Sequence, residues 1–96
     1  MKAFFIDTDE KLKGIFTDLC SLKEEQYNEI KSELIYLISD YQEEEPEEEI
    51  KKRINYLKDV FMFLYNTKEL TRKELTDLND LVFKIKEEGE KEWQKG

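Results

Sequence analysis

Apolar residues recur at steps of three and four along this chain, and that spacing predicts helices rather than strands. Tyr27, Ile30, Leu34, Leu37 and Tyr41 form one stripe, widened by Ile38, over a helix from just after Ser21 to about Gln42. Ile50, Ile54, Leu57, Phe61 and Leu64 form a second, on a helix ending near Asn66. Leu75, Leu78, Val82 and Ile85, with Leu81 alongside, form a third. A shorter stripe of Leu12, Ile15, Phe16 and Leu19 predicts a first helix over about residues 8–20.

Capping residues punctuate these stripes. Asp7 with Glu10, or Thr8 with Leu12, can open the first helix, and Ser21 with Glu24 reads as a capping box for the second. Thr71 with Glu74 is the clearest box in the chain, and Leu70 before it can staple onto Leu75. Pro46 suits the first turn of the third helix, where a missing N–H costs nothing. Gly89 is expected to fray or end the fourth helix, leaving about residues 90–96 as a tail or a last loose turn that Trp93 can dock. Residues 1–6, Met-Lys-Ala-Phe-Phe-Ile, are expected to form an apolar arm over the core.

Three long helices and one shorter N-terminal helix, joined by short loops, predict an all-α fold. The expected architecture is an antiparallel, up-and-down helical bundle in a single domain spanning residues 1–96. A chain of this length buries roughly 60–65% of its unfolded surface, enough for one core without disulfides or metal. Only three glycines and one proline are present, which leaves few tight turns and favours long helices.

Charge adds a second pattern. The net charge is −8, with 5 basic and 15 acidic groups in residues 1–49 and 11 basic and 9 acidic groups in residues 50–96. Such a chain is expected to be repelled by phosphate backbones and anionic membranes and attracted to a basic protein surface. The densest charge is Glu43, Glu44, Glu45, Glu47, Glu48 and Glu49, around Pro46. Glu47, Glu48 and Glu49 fall where the helix dipole favours carboxylates, with Lys51, Lys52 and Arg53 following, so part of the run has a structural explanation. Solubility alone is the simplest reading of the rest.

Catalytic chemistry finds no footing. Histidine is absent, which removes the commonest general base and a common metal ligand. Cys20 is the only cysteine, expected to be buried and inert, and it permits no intramolecular disulfide. Asp7-Thr8-Asp9 resembles the start of a calcium loop, but Leu12 stands where that loop needs glycine. Thr71-Arg72-Lys73-Glu74-Leu75 can open a DNA-reading helix, yet Glu69, Glu74, Asp77 and Asp80 crowd its few cations. No phosphate-binding loop, secretory signal or membrane span is legible; the longest apolar run is Val60–Tyr65. The expectations are therefore no catalysis, no cofactor, no metal, no direct nucleic-acid binding and a cytoplasmic location.

Several large apolar side chains fall off the predicted core faces. At 100° per residue, Tyr36 lies about 200° from Leu34, Met62 about 140° from Leu57, and Phe83 about 140° from Leu78. Tyr56 and Phe63 lie on one flank of the third helix. One reading makes that helix central, with Tyr56, Val60 and Phe63 buried against the first helix or the arm. The other makes Tyr36, Met62, Phe63 and Phe83 anchors for a protein partner, with Glu43–Glu49 steering it. Inhibitors of nucleic-acid enzymes, bacteriocin immunity proteins, phage inhibitors and antitoxin-like neutralisers follow the same logic, a likeness of charge and size alone. A helical homodimer acting as an assembly module is the alternative.

Overall fold

The computed structural model describes residues 6–16 and 22–95, the side chains of 92–95 excepted. Its described residues form four helices: α1 (Thr8–Ile15), α2 (Glu24–Gln42), α3 (Glu47–Asn66) and α4 (Arg72–Lys95). No strand occurs among them. The expected all-α fold is present, with three long helices and one short N-terminal one. Among the described residues no helix is long and apolar enough to cross a membrane. Met1–Phe5, the bulk of the expected apolar arm, lie outside the described residues, and Ile6 is buried.

Asp7 caps α1, its carboxylate accepting the Glu10 N–H at 3.1 Å. The helix stops at Ile15, shorter than the expected span to residue 20. Gly14, a weak helix former, occupies the last turn, and Phe16 leaves helical geometry while its N–H still bonds the Leu12 carbonyl. Leu19, Cys20 and Ser21 lie outside the described residues. The start of α2 is displaced from the expected Ser21–Glu24 pair, because Glu24 is already the first helical residue. Lys23 precedes it and donates its N–H to Gln26 Oε1 at 3.1 Å. A lysine ammonium has no lone pair to return the bond, so only half of a capping box forms.

Both long turns close in the same way without glycine. After α2, the Glu44 N–H bonds the Tyr41 carbonyl and the Glu45 N–H bonds the Asp40 carbonyl, with Glu44 in the left-handed region at φ 56°. After α3, the Lys68 N–H bonds the Tyr65 carbonyl and the Glu69 N–H bonds the Leu64 carbonyl, with Lys68 at φ 66°. This is the Schellman arrangement, which satisfies the last carbonyls of each helix and reverses the chain. Pro46 caps α3 one position earlier than expected, and its carbonyl receives the Glu49 and Ile50 N–H groups. Thr71 and Glu74 make both bonds of the expected capping box before α4, at 2.8 and 3.1 Å. Leu70 is buried and Leu75 packs half-buried on the core, as a staple requires.

Gly89 does not end α4, which runs on to Lys95. It is buried where α4 crosses Tyr41 of α2, and the absence of a β-carbon lets the tyrosine ring lie against the helix backbone. Residues 90–95 are therefore helical rather than a tail; the docking expected of Trp93 lies outside the described side chains.

Helices α2, α3 and α4 pack on one another, and α1 packs on α2 and α4 without touching α3. Arg53 meets Asp40 while Tyr56 meets Glu29, so α2 and α3 run antiparallel. Asp9 meets Lys31 while Phe16 meets Tyr27, so α1 runs antiparallel to α2. Leu12, Ile30, Leu34, Leu37, Leu57, Phe61, Leu78 and Ile85 are fully shielded at the centre. Each such side chain contributes about 1.5–3 kcal/mol by leaving water. The expectation that α3 is central and buries Tyr56, Val60 and Phe63 against the first helix or the arm holds only in part: α3 touches α2 and α4 and Val60 packs half-buried on the core, but Tyr56 and Phe63 are exposed. Because α1 fills the groove between α2 and α4, the α2–α3 and α3–α4 grooves have no helix over them among the described residues.

Candidate functional site

Two open grooves receive nearly all the side chains expected at a partner surface, and they divide them by chemistry. Along α2, residues Gln26, Glu29, Glu33, Tyr36, Asp40 and Glu43 follow steps of three and four, so they share a face. Along α3, Glu49, Arg53, Tyr56, Val60 and Phe63 do the same. The two stripes meet across the α2–α3 groove through the Tyr56 hydroxyl, which donates to Glu29 Oε1 at 2.6 Å, and through Arg53.

Arg53 organises the middle of this face. Its Nε donates to Asp40, its Nη1 to Glu33 at 2.8 Å, and its guanidinium carbon lies 5.3 Å from the centroid of the Tyr36 ring. Burial pulls the guanidinium down, and the bonds to Asp40 and Glu33 outweigh it, so Arg53 is held above its usual value. The ring of Tyr36, half exposed, is thus covered on one side by the protein's own cation. The bond to Glu29 raises the Tyr56 phenol, since ionising it would bring two negative charges together.

Phe63 stands at the far end of the same face. It is 62% exposed and lines a shallow groove of about 310 Å³ with Gln26, Glu29, Asp59 and Val60. The glutamate run forms the near end. Glu43, Glu44, Glu47, Glu48 and Glu49 are exposed and Glu45 is half-buried. Lys51 reaches Glu47 at 3.5 Å and Lys52 reaches Glu49 at 3.6 Å, through side chains exposed enough that water screens both pairs. Glu43, Glu44, Glu45 and Glu48 have no ion pair among the described residues. Glu43 and Glu49 of the acidic corner, the stacked tyrosine, the hydrogen-bonded tyrosine and the exposed phenylalanine therefore share one strip, while Glu47 lines the cleft on the other side of α3 with Tyr41.

Met62 and Phe83, the other two expected anchors, are brought together in the α3–α4 groove instead. They are 49% and 62% exposed and line a cleft of about 460 Å³ floored by Ile54, Leu75 and Val82. Its polar lining is Lys58, Lys86 and Asn79, without a carboxylate. The periodicity argument misses Ile35 and Tyr65, which are also exposed. It also misses the lysines, although Lys58 stands four residues before Met62 and Lys86 three after Phe83, spacings that put each pair on one helix face. No family model matches this chain, no curated protein matches it and no solved structure matches it, so the use of the two grooves must follow from their own chemistry.

Proposed function

We infer that this chain is a non-catalytic protein that binds another protein through its α2–α3 face and blocks a basic surface on it. The observation that carries this reading is that Glu43 and Glu49 of the glutamate corner share a single uncovered face with Tyr36, Tyr56 and Phe63. Exposed aromatic side chains supply contact area at little entropic cost, and surrounding carboxylates set orientation and association rate. Glu29, Asp59 and the unpaired glutamates present carboxylates along a groove, a pattern that suits a partner whose own site is lined by lysines and arginines. A surface evolved to hold phosphates has that character, and an acidic strip laid on it excludes nucleic acid. Self-association through this face would oppose two acidic strips on chains of charge −8, which disfavours the homodimer.

A photo-crosslinking amino acid at position 63 tests the proposal in extract from the protein's native cells. The expected product is a protein with a basic contact surface, whose capture weakens as salt rises and fails when the six corner glutamates become glutamines. Capture of an acidic surface, or capture indifferent to both salt and the glutamines, would sink the reading.

A further inference from the structure

The Met62–Phe83 end of the α3–α4 groove has a character opposite to the rest of the molecule. The chain carries −8, yet the polar lining of this cleft is two lysines and an asparagine. Lys58 comes from α3 and Lys86 from α4, and neither is ion-paired among the described residues. Both lysines also line the adjoining cleft, which continues the groove toward Tyr41 and adds Lys51, Glu47 and Glu90, so they mark its midpoint and the groove's carboxylates stand only at its Tyr41 end. Below them lie Ile54, Leu75 and Val82, and beside them Met62 and Phe83 leave half or more of their surface in water. Two like charges at the edge of an apolar floor repel each other, and an anion set between them relieves that repulsion.

The fold already shows how such a groove is filled. The neighbouring α2–α4 groove holds α1, an eight-residue amphipathic helix that buries Leu12 and is followed by the buried Phe16. One carboxylate on α1 pins it: Asp9 reaches Lys31 of α2 at 3.3 Å and accepts the Tyr27 hydroxyl at 3.1 Å. The α3–α4 groove offers the same parts, an apolar floor between two helices with lysine at its edge, and lacks only the helix.

We propose that the α3–α4 groove is a second docking site, distinct from the α2–α3 face, for an amphipathic helix of another protein bearing carboxylates beside its apolar stripe. The apolar stripe covers Met62 and Phe83, and its carboxylates pair with Lys58 and Lys86. A second copy of this chain fits poorly, because a two-fold axis in the groove places four lysines together. The acidic strip needs a basic partner and this groove an acidic one, so the two surfaces together let the protein bridge two partners of opposite charge.

The test is a displayed library of sixteen-residue helices with leucine or phenylalanine fixed at i, i+4 and i+7 and every other position free. It is selected on the full-length protein. Enrichment of glutamate and aspartate flanking the fixed stripe is expected, with binding weakened about tenfold or more by Lys58→Glu with Lys86→Glu, and similarly by Phe83→Ser. All three substitutions fall on exposed side chains and leave the core intact. Phe63→Ser, on the other groove, leaves binding unchanged. Selected helices without acidic enrichment, helices that bind the lysine and phenylalanine variants as well as wild type, or no selected helix at all would overturn the proposal. So would a dimer in solution that Phe83→Ser converts to monomer, since the groove would then belong to a second copy.

Discussion

The ring of Tyr41 occupies the space a β-carbon on Gly89 would need: such an atom would lie 2.4 Å from Tyr41 Cγ and 2.5 Å from Cδ1. Cγ is the root of the ring, so the clash cannot be relieved by swinging a side-chain tip aside. Tyr41 is itself buried and its phenol is pushed up to about 12, first by that burial and then by Glu90 and Glu47.

Gly89→Ala is therefore expected to destabilise the protein, although the same change at an open mid-helix glycine gains up to about 1 kcal/mol. Overpacking of this kind costs about 1–3 kcal/mol, so the net loss is about 1 kcal/mol at the middle of that range. In a domain of this size that lowers Tm by about 4–8 °C. Thermal unfolding by circular dichroism measures it, and Tyr41→Leu in the same chain should recover part of the loss. A rise in Tm on Gly89→Ala alone would mean that the two helices can separate freely there.

The two left-handed turn residues predict the opposite sign. Glu44 and Lys68 hold φ values that side chains with a β-carbon adopt at a cost of about 1–2 kcal/mol, part of which glycine returns as extra freedom in the unfolded chain. Glu44→Gly and Lys68→Gly should each stabilise by about 0.5–1 kcal/mol, read as a higher urea midpoint with unchanged slope. Lys68→Gly isolates the backbone effect better, since Glu44→Gly also relieves repulsion in the glutamate corner. A lower midpoint for Lys68→Gly would show that its side chain matters more to the turn than its backbone.

The helices and the inner seams are legible in the sequence because they are local. Ile50, Ile54, Leu57, Phe61 and Leu64 are all buried, and Thr71 with Glu74 makes both capping bonds, since periodicity and cap chemistry act within one helix. Gly89 misleads because its meaning depends on Tyr41, 48 positions earlier and on another helix. The fate of Tyr56 and Phe63 depends on which groove α1 enters, a tertiary choice that no single stripe encodes. Exposure of Tyr36, Met62 and Phe83 follows from helical angle alone, whereas the division of the exposed side chains between an acidic face and a lysine-edged groove appears only once the helices are placed.

Arg53 is the charge whose removal should be felt most. Its side chain is 30% exposed, and it bonds Asp40 and Glu33, whose side chains are 15% and 22% exposed. Arg53→Met leaves two half-buried carboxylates facing each other and should cost about 1–3 kcal/mol. Asp40→Asn together with Glu33→Gln in that background should recover much of the loss, which a double-mutant cycle in urea resolves. The same variant uncovers Tyr36, so its fluorescence should become more accessible to a soluble quencher. A cost below about 0.5 kcal/mol would place the cluster with ordinary surface pairs.

Asp9 fixes the response to acid. Hydrogen bonds from Lys13, Lys31 and Tyr27, in that order of effect, hold its carboxyl down at about 2, against an ordinary 3.8. The folded state thus binds this proton less readily than the unfolded state. Its contribution to stability is complete above about pH 4 and is lost as pH falls toward 2. Carbon-13 titration of the Asp9 carboxyl should give a midpoint near 2. Asp9→Asn should lower the urea midpoint at pH 7, and the difference from wild type should shrink below about pH 4 and close only below about pH 2. Lys13 is 71% exposed, so salt should weaken its share, while Lys31 and Tyr27 continue to tie α1 to α2. An Asp9 midpoint near 3.8 would mean that this clamp does not form and that α1 is held by its apolar contacts alone.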